Sequence, residues 1–261
     1  MLRQTARAVA TSIRTYITAA HALSPHPALT LVSSFLSPAE QSTLLRASLT
    51  LLDSPSRTTA AGRKKRREWL KAHPGFEGGF MGEEAYAWEE GHFDGVIKRY
   101  REMLVRPGMW GAAGEEGELG AVLQKVYSLL PPPSSSASSS SGQSANPPPH
   151  LIMHLLHLSS AGAIHPHVDN VEAFGQTICG VSLGGERVMR FKRVSEPLAG
   201  MEDGPDEFSV LVEKGSAYIQ QEPLRTHYTH EVLETAEWEG RMVGGSQRLS
   251  IMLRDRLPSA A

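Results

Sequence analysis

Residues 248–255, RLSIMLRD, alternate strictly: Leu249, Ile251 and Leu253 fall on one side of an extended chain, Arg248, Ser250, Met252 and Arg254 on the other. Successive side chains of a strand point to opposite faces, so this pattern reads as a β-strand with two chemically distinct faces. Working back toward the N-terminus, strand-like runs recur at 150–158, 177–184, 187–194, 208–213, 216–221 and 228–233. Turn pairs such as Gly184-Gly185 and Lys214-Gly215 separate them. Seven or eight short antiparallel strands at this spacing predict a sandwich or a jelly roll.

The first half reads differently. In FLSPAEQSTLLRASLTLL (35–52), Ser37 is placed to cap a helix, Pro38 takes the first helical position and Glu40 completes a capping box. Leu44, Leu45, Leu49 and Leu52 follow at helical spacing, and Ser54-Pro55 ends the run. RKKRREWLK (63–71) is a charge run of the kind that forms a solvated face. HFDGVIKRYREMLV (92–105) and ELGAVLQKVYSLL (118–130) read as further turn and helix. PPPSSSASSSSGQSANPPP (131–149) lacks the apolar surface needed to offset ordering entropy and is expected to be a disordered surface loop. The helices before it are too few to form a core of their own, so 26–258 is read as one domain interrupted by that loop, with 259–261 a tail.

The formal net charge of the 261 residues is −2. The first 24 residues, MLRQTARAVATSIRTYITAAHALS, contain Arg3, Arg7 and Arg14 and no acidic residue. Such a basic, amphipathic segment has the pattern of an organelle-import leader, so residues 1–25 are read as a targeting leader for the mitochondrial matrix. Without it the balance is 23 basic against 28 acidic residues, or −5, which is not that of a general nucleic-acid binder. The lone Cys179 excludes a disulfide framework and a cysteine-type zinc site. No apolar run is long enough to cross a bilayer as a helix.

Chemistry concentrates in HPHVDN (165–170) and THYTHEVLE (226–234). One residue between His167 and Asp169 on an extended chain puts both side chains on the same face, where both reach one metal ion. With His230 from a later strand they compose a two-His, one-carboxylate triad, an arrangement that leaves coordination positions open on iron(II). Two other readings stay open on the residues alone. The histidines His154, His157, His165, His167, His227 and His230 also suit zinc or copper, or a solvated surface. If the arginine face of 248–254 points inward, its two guanidiniums need anionic partners, and a small dicarboxylate gripped between them meets that need.

HPHVDN, CGVSLGGERVMRF (179–191), KGSAYIQQEP (214–223), YTHEVL (228–233) and RLSIMLR occur in the order and approximate spacing of the AlkB-like dioxygenases, which the chain resembles from about Leu31 to Pro258, apart from the serine-proline insert. The resemblance is closest to the mitochondrial branch of that family. It implies a double-stranded β-helix with supporting N-terminal helices. It also implies Fe(II) held by His167, Asp169 and His230, and 2-oxoglutarate held by Arg248 at its far carboxylate. Arg254 would support the end near the iron, with Tyr218 a further cosubstrate contact. The activity implied is oxidation of a C–H bond by O2, with decarboxylation of 2-oxoglutarate to succinate.

The departures bear on substrate. DNA-repair members carry Asn and Tyr where this chain has Leu156 and Leu158, and the mitochondrial branch shares the first leucine. Candidates for stacking on a flipped base, namely Tyr86, Trp88, His92 and Phe93, are sparse. The expectation is a monomer acting on a mitochondrial protein or small molecule, and not on DNA; the resemblance to the mitochondrial branch implies a role in fatty-acid metabolism and programmed necrosis. Demethylation of mitochondrial tRNA is an alternative, using the 63–71 run. A non-enzymatic, iron-binding regulatory module is another.

Overall fold

In a computed structural model the described residues are 24–54, 58–111, 117–132, 146–170, 175–194 and 204–257. They form β1 (Leu29–Val32), α1 (Pro38–Leu52), α2 (Ala60–Ala72), a 3-10 turn at Glu83–Ala85, β2 (Glu89–Gly91) and β3 (Ile97–Val105). There follow α3 (Glu118–Tyr127), β4 (Leu151–His167), β5 (Ile178–Gly184), β6 (Arg187–Arg193), β7 (Glu207–Val212) and β8 (Ala217–Gln220). The last elements are α4 (Leu224–His227), β9 (Tyr228–Val232), β10 (Thr235–Trp238), β11 (Arg241–Gly244) and β12 (Arg248–Asp255).

Strand β4 decides the architecture. Its first part, Leu151 to Leu158, pairs with β12, while Ile164 and His167 pair with β9. The strand therefore leaves one layer and enters another. The hydrogen-bonded order is β1-β8-β5-β12-β4-β9-β6-β7, with β3 also on β4 and β2 beyond it. Between β5 and β12 the chain crosses repeatedly from the β8-β5-β12 side to the β9-β6-β7 side, always through antiparallel pairs. That winding is the double-stranded β-helix, or jelly roll. At the crossing a Cβ on Gly162 would stand 2.8 Å from Arg99 O and 2.9 Å from Ser159 N, so the tight bend there needs glycine.

Both faces of β12 are used. Leu249, Ile251 and Leu253 are fully buried in a core shared with Leu44, Leu49 and Leu52 of α1 and Val122, Leu123 and Val126 of α3. Each such side chain contributes about 1.5–3 kcal/mol. The arginine face turns into the jelly roll, toward Leu156, Leu158, Met189, Phe191 and Tyr218. Helix α1 starts as its sequence dictates, with Ser37 Oγ accepting from Glu40 N and Glu40 Oε2 accepting from Ser37 N.

The expected helix across 92–105 is corrected. Residues 97–105 are β3, paired with β4 from Ile97↔Ile164 to Val105↔Met153. The register shifts between Lys98 and Tyr100, where Arg99 has φ 49°, and this irregularity hides the period of two. The predicted 63–71 charge run is on α2, with Arg63, Lys64, Lys65 and Arg67 exposed. Most of the serine-proline insert and the leader lie outside the described residues. The insert's flanks are held by His150 Nε2 at 3.0 Å from Leu130 O and by Asn146, whose Oδ1 accepts from Gly108 N.

Candidate metal centre

His167 ends β4 directly opposite His230 of β9, and Asp169 lies just past the strand. One donor atom from each of His167, Asp169 and His230 falls within 4.8 Å of the others. The histidines are half-buried and the aspartate is buried. His167 Nδ1 is 2.9 Å from the carbonyl of His165, so Nδ1 carries the proton and Nε2 is left as a lone-pair donor.

Asp169 is held asymmetrically. Its Oδ2 is 3.5 Å from His230 Nε2, and its Oδ1 is 3.4 Å from Arg254 Nη2. Burial alone would raise this carboxyl, but His230, Arg254, His167 and Arg225 together hold it below the ordinary range. Burial takes His230 down to about 4 against the opposing pull of Asp169. An ionised carboxylate beside a neutral imidazole is a donor set ready for a cation.

The cosubstrate candidates line the same interior. Arg254 donates from Nη1 to His154 Nδ1 at 3.0 Å, and burial followed by the Arg254 charge takes His154 down to about 4. Arg248 is 1% exposed and donates from Nε to Ser182 Oγ at 2.9 Å. Its Nη2 and the neighbouring Ser250 Oγ are buried without a hydrogen-bond partner. Tyr218 is buried beside the Arg248 guanidinium, and its ring covers Gly180 so closely that a Cβ there would meet ring atoms at 2.2 Å.

Other histidines are spent elsewhere. His165 is exposed, its backbone N–H donating to Val96 O, and His227 closes α4; neither belongs to the cluster. His157 is wholly buried, accepting from Arg101 Nη2 at Nδ1 and donating from Nε2 to Gln247 Oε1, each at 3.0 Å. Phe80, Tyr86 and Trp88 pack around its ring, with Arg101 over Tyr86, so two of the stacking candidates are structural. Phe93 is 94% exposed at the tip of the β2–β3 hairpin. Sequence reading missed His154 and Ser182 as supports for the arginines. The alternation of His154 with Leu156 and Leu158 was the available signal.

The model of a family described as the 2OG-Fe(II) oxygenase superfamily matches residues 113–254, more than half of the chain. The chain belongs to that superfamily. The 2OG-Fe(II) oxygenase assignment and the geometry agree, since the matched region contains His167, Asp169, His230 and both inward arginines. The donor set fits Fe(II), and a buried guanidinium with an open donor fits the far carboxylate of 2-oxoglutarate. Two curated relatives carry the name "Alpha-ketoglutarate-dependent dioxygenase alkB homolog 7, mitochondrial". The Bos taurus protein is 35% identical over 104 residues and the Mus musculus protein 36% over 105. Each alignment covers 39% of this chain and 44% of the relative, so the chain spans less than half the length of the curated relatives it matches. A solved structure of OsALKBH1 is 15% identical with a TM-score of 0.46, covering 88% of this chain and 99% of the other. Among the described residues no helix is long and apolar enough to cross a membrane.

Proposed function

We propose that this 2OG-Fe(II) oxygenase is an active dioxygenase of the mitochondrial AlkB-homologue type, with His167, Asp169 and His230 as the iron ligands. The observation that carries the reading is the convergence of three ligand atoms, from two strands and the segment after one of them, in a fold that also buries an arginine, Arg248, with an open donor and no anionic partner. Iron(II) with 2-oxoglutarate supplies O2-dependent oxidation of a C–H bond, 2-oxoglutarate leaving as succinate and CO2.

The chain's own groups prepare that chemistry. Arg254 occupies Asp169 Oδ1, which leaves Oδ2, the oxygen nearer His230, for the metal. Arg248, with Tyr218 beside it, takes the far carboxylate of the cosubstrate. Arg254 supports the end near the iron, steadied by His154. The apolar walls, Leu156, Leu158, Met189 and Phe191, keep water from the interior.

The protein loaded with Fe(II) is expected to convert 2-oxoglutarate to succinate slowly without a substrate. Arg248→Ala should weaken 2-oxoglutarate by about 1.5–3 kcal/mol, the worth of a charge-assisted bond, and leave iron binding intact. Metal binding without any succinate would instead establish the regulatory-module reading.

The substrate reading is a mitochondrial protein or small molecule, with the fatty-acid and necrosis roles resting on the resemblance. Location in mitochondria is supported by the relatives' names, and the matrix rests on the leader pattern alone. The exposed basic face of α2 favours one second reading, contact with tRNA. Comparing methylated tRNA from mitochondria with and without the protein tests it.

A further inference from the structure

We infer that Arg187, given no role so far, is a second cation at the far end of the cosubstrate pocket and sets its preference for a dicarboxylate. The inference rests on the cosubstrate reading above. Arg187 is completely buried, as is Arg248 at 1% exposure. It is bracketed against Arg248 from two sides: Nη2 donates to the carbonyls of Ser159 and Ser246. Ser159 follows Leu158, the Cα partner of Arg248, and Ser246 lies two residues before Arg248 on the chain. Nη1 donates to Glu186 O at 3.1 Å, and Nε has no partner.

Neither arginine has a carboxylate within ion-pairing distance among the described residues. Glu234 and Glu83 stand within electrostatic range of Arg187, yet each is engaged elsewhere: Glu234 Oε2 is 3.7 Å from Lys98 Nζ, and Glu83 Oε1 accepts from Ser160 N. Two neighbouring guanidiniums in the interior repel each other and resist burial, which pushes Arg187 down to about 10, burial being the larger cause. An anion at this end relieves both, and a neutral group relieves neither. A neutral hydrogen-bonding side chain could cap the same carbonyls, so the charge itself has a use.

The test compares 2-oxoglutarate with 2-oxovalerate, of equal chain length but with a methyl in place of the far carboxylate. Binding to the Fe(II)-loaded, oxygen-free protein is followed by calorimetry, with the melting temperature recorded alongside. Arg187→Gln keeps donors and removes charge. It should weaken 2-oxoglutarate roughly tenfold, the effect of a unit charge about 12 Å away at an effective dielectric of about 20, and leave 2-oxovalerate within about twofold. Arg187→Lys, which keeps the charge, should preserve the preference. Unchanged 2-oxoglutarate affinity in a folded Arg187→Gln protein, or equal loss of both ligands, overturns the inference. So does loss of the preference in a folded Arg187→Lys protein. Should neither variant fold, the unaltered protein decides: a preference of about a hundredfold or more is expected, and one below about tenfold overturns it. Arg248→Gln separates the two levels. If it abolishes the preference and Arg187→Gln does not, only the role of Arg187 fails; if both keep it, the cosubstrate reading itself fails.

Discussion

His167 and His230 face each other as Cα partners across β4 and β9, their ring centroids 4.3 Å apart. One rung of one ladder thus sets two of the three proposed ligands, and the third follows from the single-residue spacing to Asp169. Replacing His167, Asp169 or His230 by Ala should each weaken iron binding by on the order of a hundredfold or more, since even groups that only support a ligand are worth ten- to a hundredfold. His165→Ala and His227→Ala should bind iron normally in the same titration. Iron loss from either of these, with His167→Ala intact, would place the ligand register wrongly.

Gly180 and Tyr218 form a second dependent pair, the ring lying where a Cβ would be. Gly180→Ala should cost about 1–3 kcal/mol of stability by overpacking and should also weaken 2-oxoglutarate by displacing the tyrosine from Arg248. Adding Tyr218→Leu should return part of the lost stability. Strictly additive losses in denaturant titrations would show that the two side chains do not compete for this space.

The metal-free protein should lose stability as pH falls from 7 to 5. Burial takes His230 and His154 from 6.5 to about 4 and His157 well below 6.5. Between those values the unfolded chain binds protons that the folded protein refuses, so stability is full above the ordinary imidazole range and declines below it. Asp169, lowered from 3.8, extends the decline to more acid pH. His154→Gln should flatten the melting-temperature profile between pH 7 and 5. A profile as steep as before would mean that His154 titrates normally.

Asp53, which follows α1, accepts from Arg101 Nη1 at 2.6 Å, and Arg101 in turn reaches His157. Asp53→Ala should cost about 3–5 kcal/mol, because it leaves a buried guanidinium without its carboxylate. Arg101→Met should cost less, since Asp53 keeps Arg66 at 3.2 Å. Equal losses in urea unfolding would argue that packing, not the ion pair, holds this corner.

Much of this protein is legible in its sequence, because strict alternation and ligand spacing are local properties. The strand at 248–255, the capped helix from Pro38 and the shared face of His167 and Asp169 follow from chain geometry alone. The tertiary structure decided what depends on partners. Strand β3 is a strand because β4 offers it a ladder, although the irregularity near Arg99 erases its pattern. Which face of β12 turns inward, and hence that Arg248 is buried with an open donor, was settled by α1 and α3 covering the leucines on the other side. His154 and His157 lie three residues apart on one strand, yet one faces Arg254 in the interior and the other Arg101 on the opposite side. An odd spacing on a pleated strand puts the two rings on opposite faces, but only the packed sheet says which face holds the site.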